Sequence, residues 1–388
     1  MDKIKAILLV LLIGVFMIQF NVNVLAQEEA PGQENQVDIN EHYEKARVIK
    51  VETLGEIEPG EEQFFQEQLI TVEMLTGKHK GQVMEAMNNL SGSAGWDIIV
   101  EPGDKVILYI TEQNGEILEA YISDMARHSY LSYLIIGFTI VLIVIGGVKG
   151  LKSLVALSFT VLAIYKILLP ALMKGLSPLP ITILVLIGVT LLTMFIIGGL
   201  TKKSVAATLG TIGGVVIAGL LALIVGNLAH LTGFATEESR MLLYVEDFTV
   251  NMQGLLFSGI IIGALGAIMD VAMSIASSVE EVKRANPRLN TFQLVRAGMN
   301  VGRDIMGTMS NTLILAYTGG ALPLLMLYMA YNTPGIQIFN TELIATEVVR
   351  ALAGSIGLIF AVPITALIAG MLAKSSSKQQ YNTSHLES

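Results

Sequence analysis

The stretch Gly259–Asn311 decides how this chain is read. Its first half, residues 259–281, is GIIIGALGAIMDVAMSIASSVEE. Its second half opens the run NVGRDIMGTMSNTLILAYTGG at residues 300–320. Each is an apolar segment with one aspartate, Asp270 in the first and Asp304 at the entrance of the second, and a short basic connector joins them. At about 100° per helical residue, Gly259, Gly263, Gly266, Asp270, Ser274, Ser277 and Glu281 fall on one narrow stripe. Asn300, Asp304, Thr308 and Asn311 make a second stripe. A carboxylate in a spanning helix is expensive and normally faces a bundle interior or a water-filled path. Glycines beside it let another backbone come close. The two stripes are therefore expected to meet, with Asp270 at the centre of whatever the protein does.

Outward from this stretch, the composition sets the class. The 388 residues are 53% apolar and only 15% charged, and the mean hydropathy is +0.63. A soluble domain carries far more charge, and several uninterrupted apolar runs reach about 18 residues or more, the length that crosses a bilayer. The net charge of −9 is concentrated in one polar segment near the N-terminus. No basic tract interleaved with aromatics points to nucleic acid. The absence of cysteine excludes disulfides, thiolate metal sites and cysteine nucleophiles.

Met1–Ala26 has Lys3 and Lys5 ahead of an apolar core and ends in Val24-Leu25-Ala26, a secretory signal pattern; cleavage after Ala26 and an uncleaved signal anchor are both compatible with it. Residues 27–128 form a polar, acidic segment, with 27–42 as a flexible lead-in. Short alternating runs follow at 46–51, 68–74, 96–100, 105–110 and 117–122, separated by Pro59-Gly60, Pro102-Gly103 and Asn114-Gly115. Five short strands predict a small antiparallel barrel or sandwich, OB-like. Trp96 is expected in its core or at a membrane surface rather than as a binding platform. His79 and His128 are isolated in sequence and have no metal-ligand spacing.

Apolar runs at 131–148, 153–173, 180–200, 204–229, 252–279, 307–330 and 351–373 predict seven spans, with Pro170, Pro178 and Pro180 around the second loop and a kink at Pro363. With 27–128 outside, the inner loops collect Lys149, Lys152, Lys202, Lys203, Lys283, Arg284, Arg288, Arg296, Arg303, Lys374 and Lys378. The outer ends hold Lys166, Lys174, Arg240 and Arg350. That asymmetry orients the chain with a cytoplasmic C-terminus. The loop from His230 to Asp247 is acidic and either draws cations by its field or is simply solvated. The connector Glu280–Arg303 is amphipathic and expected to lie along the inner leaflet or under the bundle.

In this frame Asp270 and Asp304 share a cytoplasm-facing vestibule in which Ser274, Ser277, Thr308, Asn311 and Thr312 add neutral oxygens. Such a set suits a hard cation or a proton relay. The competing reading pairs Asp270 with Arg303 or another base and confines it to helix packing. Gly210 and Gly214 make a small-xxx-small pair for a close helix crossing, with Thr201, Ser204, Thr208 and Thr211 on a polar side. Glu347 and Arg350 are spaced for a local ion pair. Intramembrane aspartyl proteases have a Gly-x-Gly-Asp motif that Ala267-Ile268-Met269-Asp270 lacks, and no Ser/His or His-Glu-x-x-His arrangement occurs in the spans. A seven-helix receptor would need a separate output partner, because little chain follows residue 373.

The segment Gly263–Val282 (GALGAIMDVAMSIASSVEEV) and the segment Gly298–Gly320 (GMNVGRDIMGTMSNTLILAYTGG) resemble the signature of the YibE/F family, and the resemblance runs over about residues 130–373. It implies a bacterial multi-spanning membrane protein with a β-rich domain ahead of the spans; it carries no substrate or reaction. Asp270, Ser274, Glu281, Asp304 and Asn311 fall inside its motifs.

The expected architecture is an α-helical polytopic membrane bundle of about seven transmembrane helices after a signal peptide, with a small extracytoplasmic β-rich domain. Its parts are residues 1–26, 27–128, 129–373 and a disordered cytoplasmic tail, 374–388. The expected function is permease-like, moving or coupled to a small ion or solute in the bacterial cytoplasmic membrane; the alternative is a non-transporting scaffold, regulator or sensor. No catalysis and no cofactor is expected, and the sequence names no metal. The expected partners are the bilayer, a small ion or solute, and a membrane protein or second copy.

Overall fold

A computed structural model of the chain describes residues 39–54, 66–93, 95–113, 115–245 and 249–384. The expected signal segment, the Pro59-Gly60 turn and the acids Glu246 and Asp247 lie outside the described residues. The chain divides into two units, residues 1–145 and 146–388.

The first unit holds β1 (Ile39–Leu54), β2 (Gln66–Met74), β3 (Val83–Leu90), β4 (Lys105–Gln113) and β5 (Glu116–Met125). They close into a barrel in the order β1-β2-β3-β5-β4, antiparallel except where Met87 of β3 meets Tyr121 of β5. β1 closes it by serving two neighbours. Ile39–Arg47 pair with β4 and Ala46–Leu54 pair with β2, across a bulge between Val48 and Lys50 that bends the strand. Alternation does the rest: Ala46 and Val48, Ile70 and Val72, and Val106, Leu108 and Ile110 all point inward and are fully buried.

Two expectations change here. β1 begins at Ile39, inside the stretch read as a flexible lead-in. The third strand is Val83–Leu90 and not Trp96–Val100, which is irregular. The inward set of β3 includes Ala86, Asn88 and Leu90, so its period was masked by a weak strand former and a polar residue. Asn88 belongs inside because its amide donates to Gln68 Oε1 at 3.1 Å and to the Ile98 carbonyl at 2.8 Å. Trp96 is 87% exposed, which removes the core reading for it.

The second unit is helical, and the longer helices among the described residues are α1 (His128–Met173), α2 (Pro178–Gly198), α3 (Lys202–Leu228), α4 (Met252–Ala285), α5 (Thr291–Gly320), α6 (Leu322–Ala330) and α7 (Glu342–Ser384). Among the described residues five helices are long and apolar enough to cross a membrane: α1, α2, α3, α4 and α7 as far as Ala373. The bent pair α5–α6, at 57°, makes up to six. The described count and the expected seven differ at the first two expected spans, which run together as His128–Met173 although two helices meet there across a kink. The backbone leaves helical geometry there at Gly147, with φ 54° and ψ −131°. The kink falls in the glycine-rich link Gly146-Gly-Val-Lys-Gly-Leu-Lys152, where glycine adopts the positive φ readily. Pro170, which lacks an N–H, is preceded by a π turn at Ile164–Leu168 that absorbs the missing bond within the same helix. Pro178 opens α2, where its missing N–H is harmless. The backbone of α7 passes through Pro363 and stays helical to Ser384, beyond residue 374 where a disordered tail was expected.

α3, α4 and α7 form the centre of this unit. Bilayer tails are as apolar as leucine, so spanning helices associate through close packing of small residues. The centre is built that way: Ala206, Ala207, Ala218, Ala222, Ala264, Ala272, Ala361 and Ala366 are fully buried. Where α3 crosses α7, a Cβ at Gly214 would lie 2.7 Å from the Gly357 carbonyl oxygen, and one at Gly210 would meet Thr365. The buried Thr208, Thr211 and Thr365 donate back to carbonyls of their own helices at 2.7–2.8 Å, so they fill space without leaving a polar group open. α3 is helical throughout Lys202–Leu228.

Candidate functional site

α4 starts cleanly because the Asn251 side chain accepts from Gly254 N at 2.6 Å. From there its apolar residues Ile260, Ile261, Ala264, Leu265, Ile268, Val271, Ala272, Ile275 and Ala276 are buried. The opposite side is Gly259, Gly263, Gly266, Asp270 and Ser274, all exposed, with Ser277 half-buried and Glu281 exposed. A Cβ added at Gly259 or Gly266 would touch nothing within 4 Å. The predicted stripe is therefore a real face of the helix, left exposed among the described residues except where the Tyr317 hydroxyl reaches Gly263. The two aspartates expected in a cytoplasm-facing vestibule thus lie on an exposed face of the single chain. The reason is that the apolar side of α4, with its alanines, fits the α3–α7 centre more closely than the polar side can.

α5 begins with a reciprocal cap between Asn290 and Gln293 and is 30 residues long. The connector expected at 280–303 shrinks to a few residues around Pro287, since α4 runs to Ala285 and α5 starts at Thr291. Asp304 is thus well inside a helix and not at its entrance. α5 approaches α4 through two glycines. A Cβ at Gly302 would meet Val362 and lie 3.2 Å from Ile275, and one at Gly298 would lie 2.8 Å from Val279. At the other end the Tyr317 hydroxyl sits 2.5 Å from where a Gly263 Cβ would be. These contacts fix an antiparallel register in which Asp270 is level with Thr308, and Ser274 with Asp304. Asp304, Thr308, Asn311 and Thr312 are exposed on α5, like Gly307. Ser310 beside them has a buried hydroxyl with no hydrogen-bond partner.

Neither Asp270 nor Asp304 has an ion pair or hydrogen bond among the described residues. Three bases of this region are engaged elsewhere: Arg303 reaches Asn300 Oδ1 at 3.4 Å, Lys283 donates to the carbonyls of Pro287 and Leu289 at 2.8 and 3.1 Å, and Arg284 pairs with Glu281 at 3.3 Å. The contact that would make Asp270 a packing ion pair is not formed.

A group missed by the sequence reading lies beyond Tyr317. Arg350 pairs with Glu347 at 2.7 Å, as its spacing suggests, but its guanidinium also lies over the Tyr317 ring at 5.9 Å and its Nε is buried without a partner. These three residues and Glu238 line a cavity of about 600 Å³, next to a second of about 380 Å³ that reaches Gly259 and Thr346. The roof is the loop after α3, held because the Glu342 carboxylate accepts from Thr232 N, Thr232 Oγ1 and Gly233 N at 2.6–3.1 Å. Its own backbone N–H and the Thr236 hydroxyl hold the Glu238 carboxyl below the usual carboxylate range, so it stays ionised on the wall. Tyr317 is where the cavity and the open face touch: it lines the first and presses its hydroxyl on Gly263 of the second.

Two family descriptions match the chain: YibE/F-like protein over residues 134–375, and YibE/F family N-terminal domain over residues 39–125. The chain belongs to the YibE/F family. The two matches fall on the helical stretch and the barrel respectively, and both quoted motifs, residues 263–282 and 298–320, lie within the first. No curated protein and no solved structure matches the chain. In this YibE/F protein the two motifs are the two halves of the open face, α4 with Asp270 and α5 with Asp304.

The open glycines give a direct check. Gly→Ala in a helix interior with free space stabilises by about 0.5–1 kcal/mol. Gly266→Ala is therefore expected to raise the thermal midpoint of dispersed single chains slightly. If a second chain packs on this face, the same substitution lowers the yield of the associated species in cross-linking in native membranes. Loss of monomer stability instead would show that Gly266 packs within its own chain.

Proposed function

We propose that this YibE/F protein is permease-like, with a small ion or solute moving along, or coupled to, the polar face of α4 and α5, and with Asp270 as the central ionisable group. The observation that carries the reading is Asp270 itself: an unpaired carboxylate halfway along a spanning helix, level with Thr308 and flanked by open glycines. Facing lipid, such a group would be expensive, so water, a transported cation or another chain is the environment that suits it. A second copy or a membrane-protein partner on this face would turn the open groove into a lined path. The Arg350–Glu347–Tyr317 cavity offers an approach from the loop side.

The distribution of basic residues supports a topology in the bacterial cell membrane with the C-terminus cytoplasmic and residues 27–128 outside, α1 counting as two crossings about its kink at Gly147. Nothing in the open face resembles a catalytic pair, and the protein is read as non-enzymatic. The test is flux in proteoliposomes, screened with protons, Na⁺, K⁺, Mg²⁺ and phosphate, for wild type and Asp270→Asn. Movement of one of these that is lost in the variant supports the reading. No movement of any, or equal movement by both proteins, leaves the permease without its mechanism.

The same uncovered face favours one other reading, a scaffold or regulator that docks a partner there or through the barrel. Removing residues 27–128 would then abolish function in cells while the bundle stays folded. Full activity of that truncated protein would count against this second reading.

A further inference from the structure

The barrel contains four side chains that neither its fold nor the proposed transport uses. His42 and Glu44 are two apart on β1 and so point to the same, inward side, where Ala46 and Val48 continue the core. Glu112 follows Val106, Leu108 and Ile110 on the inward side of β4, and β1 and β4 are paired here, His42 opposite Ile110. His79 comes from the turn between β2 and β3. One end of an otherwise apolar barrel interior is thus two carboxylates and two imidazoles. The side chains of Glu44 and Glu112 are only 7% and 5% exposed, those of His79 and His42 15% and 26%.

The distances do not make a self-sufficient ion cluster. His42 Nε2 faces Glu44 Oε1 at 3.4 Å and Glu112 Oε2 at 3.9 Å. One ring nitrogen has at most one proton to offer, so two carboxylates compete for it. His79 faces Glu112 Oε1 through Nε2 at 3.9 Å, while its Nδ1 lies 3.2 Å from Gln82 Oε1. An amide oxygen accepts, so Nδ1 is the donor in that contact and Nε2 is the ring nitrogen turned towards the carboxylate. That is the arrangement in which metal-bound histidines are held by an outer partner. Among the described residues eleven buried side-chain nitrogens and oxygens have no hydrogen-bond partner. Four of the eleven are in this cluster: His42 Nδ1, Glu44 Oε2, His79 Nε2 and Glu112 Oε2. Buried polar groups are nearly always satisfied, and a concentration of exceptions asks for a missing cation.

We propose that His42, Glu44, His79 and Glu112 form a binding site for a divalent transition-metal ion of the zinc type at one end of the β-barrel. Imidazole and carboxylate oxygen together suit such an ion better than Ca²⁺ or Mg²⁺, which take oxygen ligands alone. With bonds of about 2.0–2.2 Å, neighbouring donors of a tetrahedral site lie about 3.3–3.6 Å apart. The observed separations of 3.4 and 3.9 Å are close to that. As placed, no three His, Asp or Glu donors already converge at coordination distance. The remaining closure is a side-chain movement, which a bound ion would drive. Gly77 holds the wall of the site: its φ of +75° suits glycine, and a Cβ there would overlap the Glu44 carboxylate. The barrel pattern gives the same message, because His42, Glu44 and Glu112 occupy positions where strand alternation calls for apolar residues.

The test uses the untagged full-length protein in detergent, stripped with a chelator and titrated with ZnCl₂ by calorimetry and by equilibrium dialysis. One zinc per chain is expected. His79→Asn, on a turn where the fold is least affected, and Glu112→Gln are expected to weaken binding by on the order of 100-fold, and Gln82→Ala, which frees the His79 ring, by about 10-fold. Far-UV circular dichroism checks that each variant is folded. Cobalt provides a second readout independent of folding losses: the wild type should give the visible absorption of a tetrahedral Co²⁺ complex, displaced by zinc and not by magnesium. The proposal is overturned if wild type binds no stoichiometric zinc, or if His79→Asn and Glu112→Gln both bind it as wild type does, since the four residues are then only a histidine–carboxylate cluster.

Discussion

Asp270→Leu is expected to cut flux by at least about 100-fold while leaving the purified bundle as stable as wild type or more stable. The two halves of this result have different causes. Loss of an essential ionisable group in a proton or cation relay removes a step that typically contributes 10²–10⁴-fold. Stability moves the other way because Asp270 has no ion pair or hydrogen bond among the described residues and is exposed on its face of α4. Replacing a carboxylate at apolar depth by leucine relieves about 2.5–3.5 kcal/mol on insertion scales. Most mutations that abolish function by unfolding lower stability, so the combination is diagnostic. Thermal unfolding in detergent and flux in proteoliposomes read the two quantities separately. A clear drop in the melting temperature would mean that Asp270 makes a contact within the fold, and the functional reading would lose its basis. Asp304→Leu is expected to act in the same direction more weakly, because Asp304 lies one turn nearer the end of the bundle, level with Ser274.

The second large effect is at the α3–α7 crossing. Gly214→Val is expected to destabilise the bundle by about 3 kcal/mol or more, at the upper end of overpacking effects. A Cβ there would lie 2.7 Å from the Gly357 carbonyl oxygen and 2.9 Å from both Ala361 Cβ and Ile268 Cγ2. Two of these three atoms belong to a backbone or to an alanine and cannot rotate away, so the helices themselves must separate. They meet from two sides, α7 and α4, which leaves no direction of escape. Gly213→Ala is a matched control one residue away. Its Cβ would press mainly on the Ile364 Cδ1 methyl at 2.8 Å, the free end of a flexible side chain, so a smaller loss is expected. Melting temperatures of the two variants in one detergent give the comparison. A Gly214→Val protein that melts like wild type would place the crossing elsewhere.

Much of the architecture is legible in local pattern. The membrane class follows from run length and low charge, a small β domain from alternating short strands, and the crossing role of Gly210 and Gly214 from residue type. The polar stripe on α4 is also where periodicity puts it. Periodicity, however, gives only the angular position of a side chain about its own helix axis. It does not say which side the neighbours take, and in a bilayer the usual rule that apolar means inside is weakened because lipid is apolar too. That is why the position of the Asp270 stripe on its helix was legible and its exposure in the single chain was not. Strand β3 was hidden for a related reason: Asn88 is inward because Gln68 and the Ile98 carbonyl satisfy it, a condition set by residues outside its own strand.

The sequence alone thus determined what is fixed by composition and short-range period: a membrane protein of the YibE/F family, a β-barrel ahead of apolar helices, and an aspartate on a glycine-rich helical stripe. Only the tertiary structure decided that the Asp270 stripe is uncovered, that Arg350 lies over Tyr317, and that His42, Glu44, His79 and Glu112, dispersed over some seventy residues, share one end of a barrel. The physical reason is the same in each case. These features depend on which surfaces fit each other across long loops and between helices, and packing of that kind has no period along the chain.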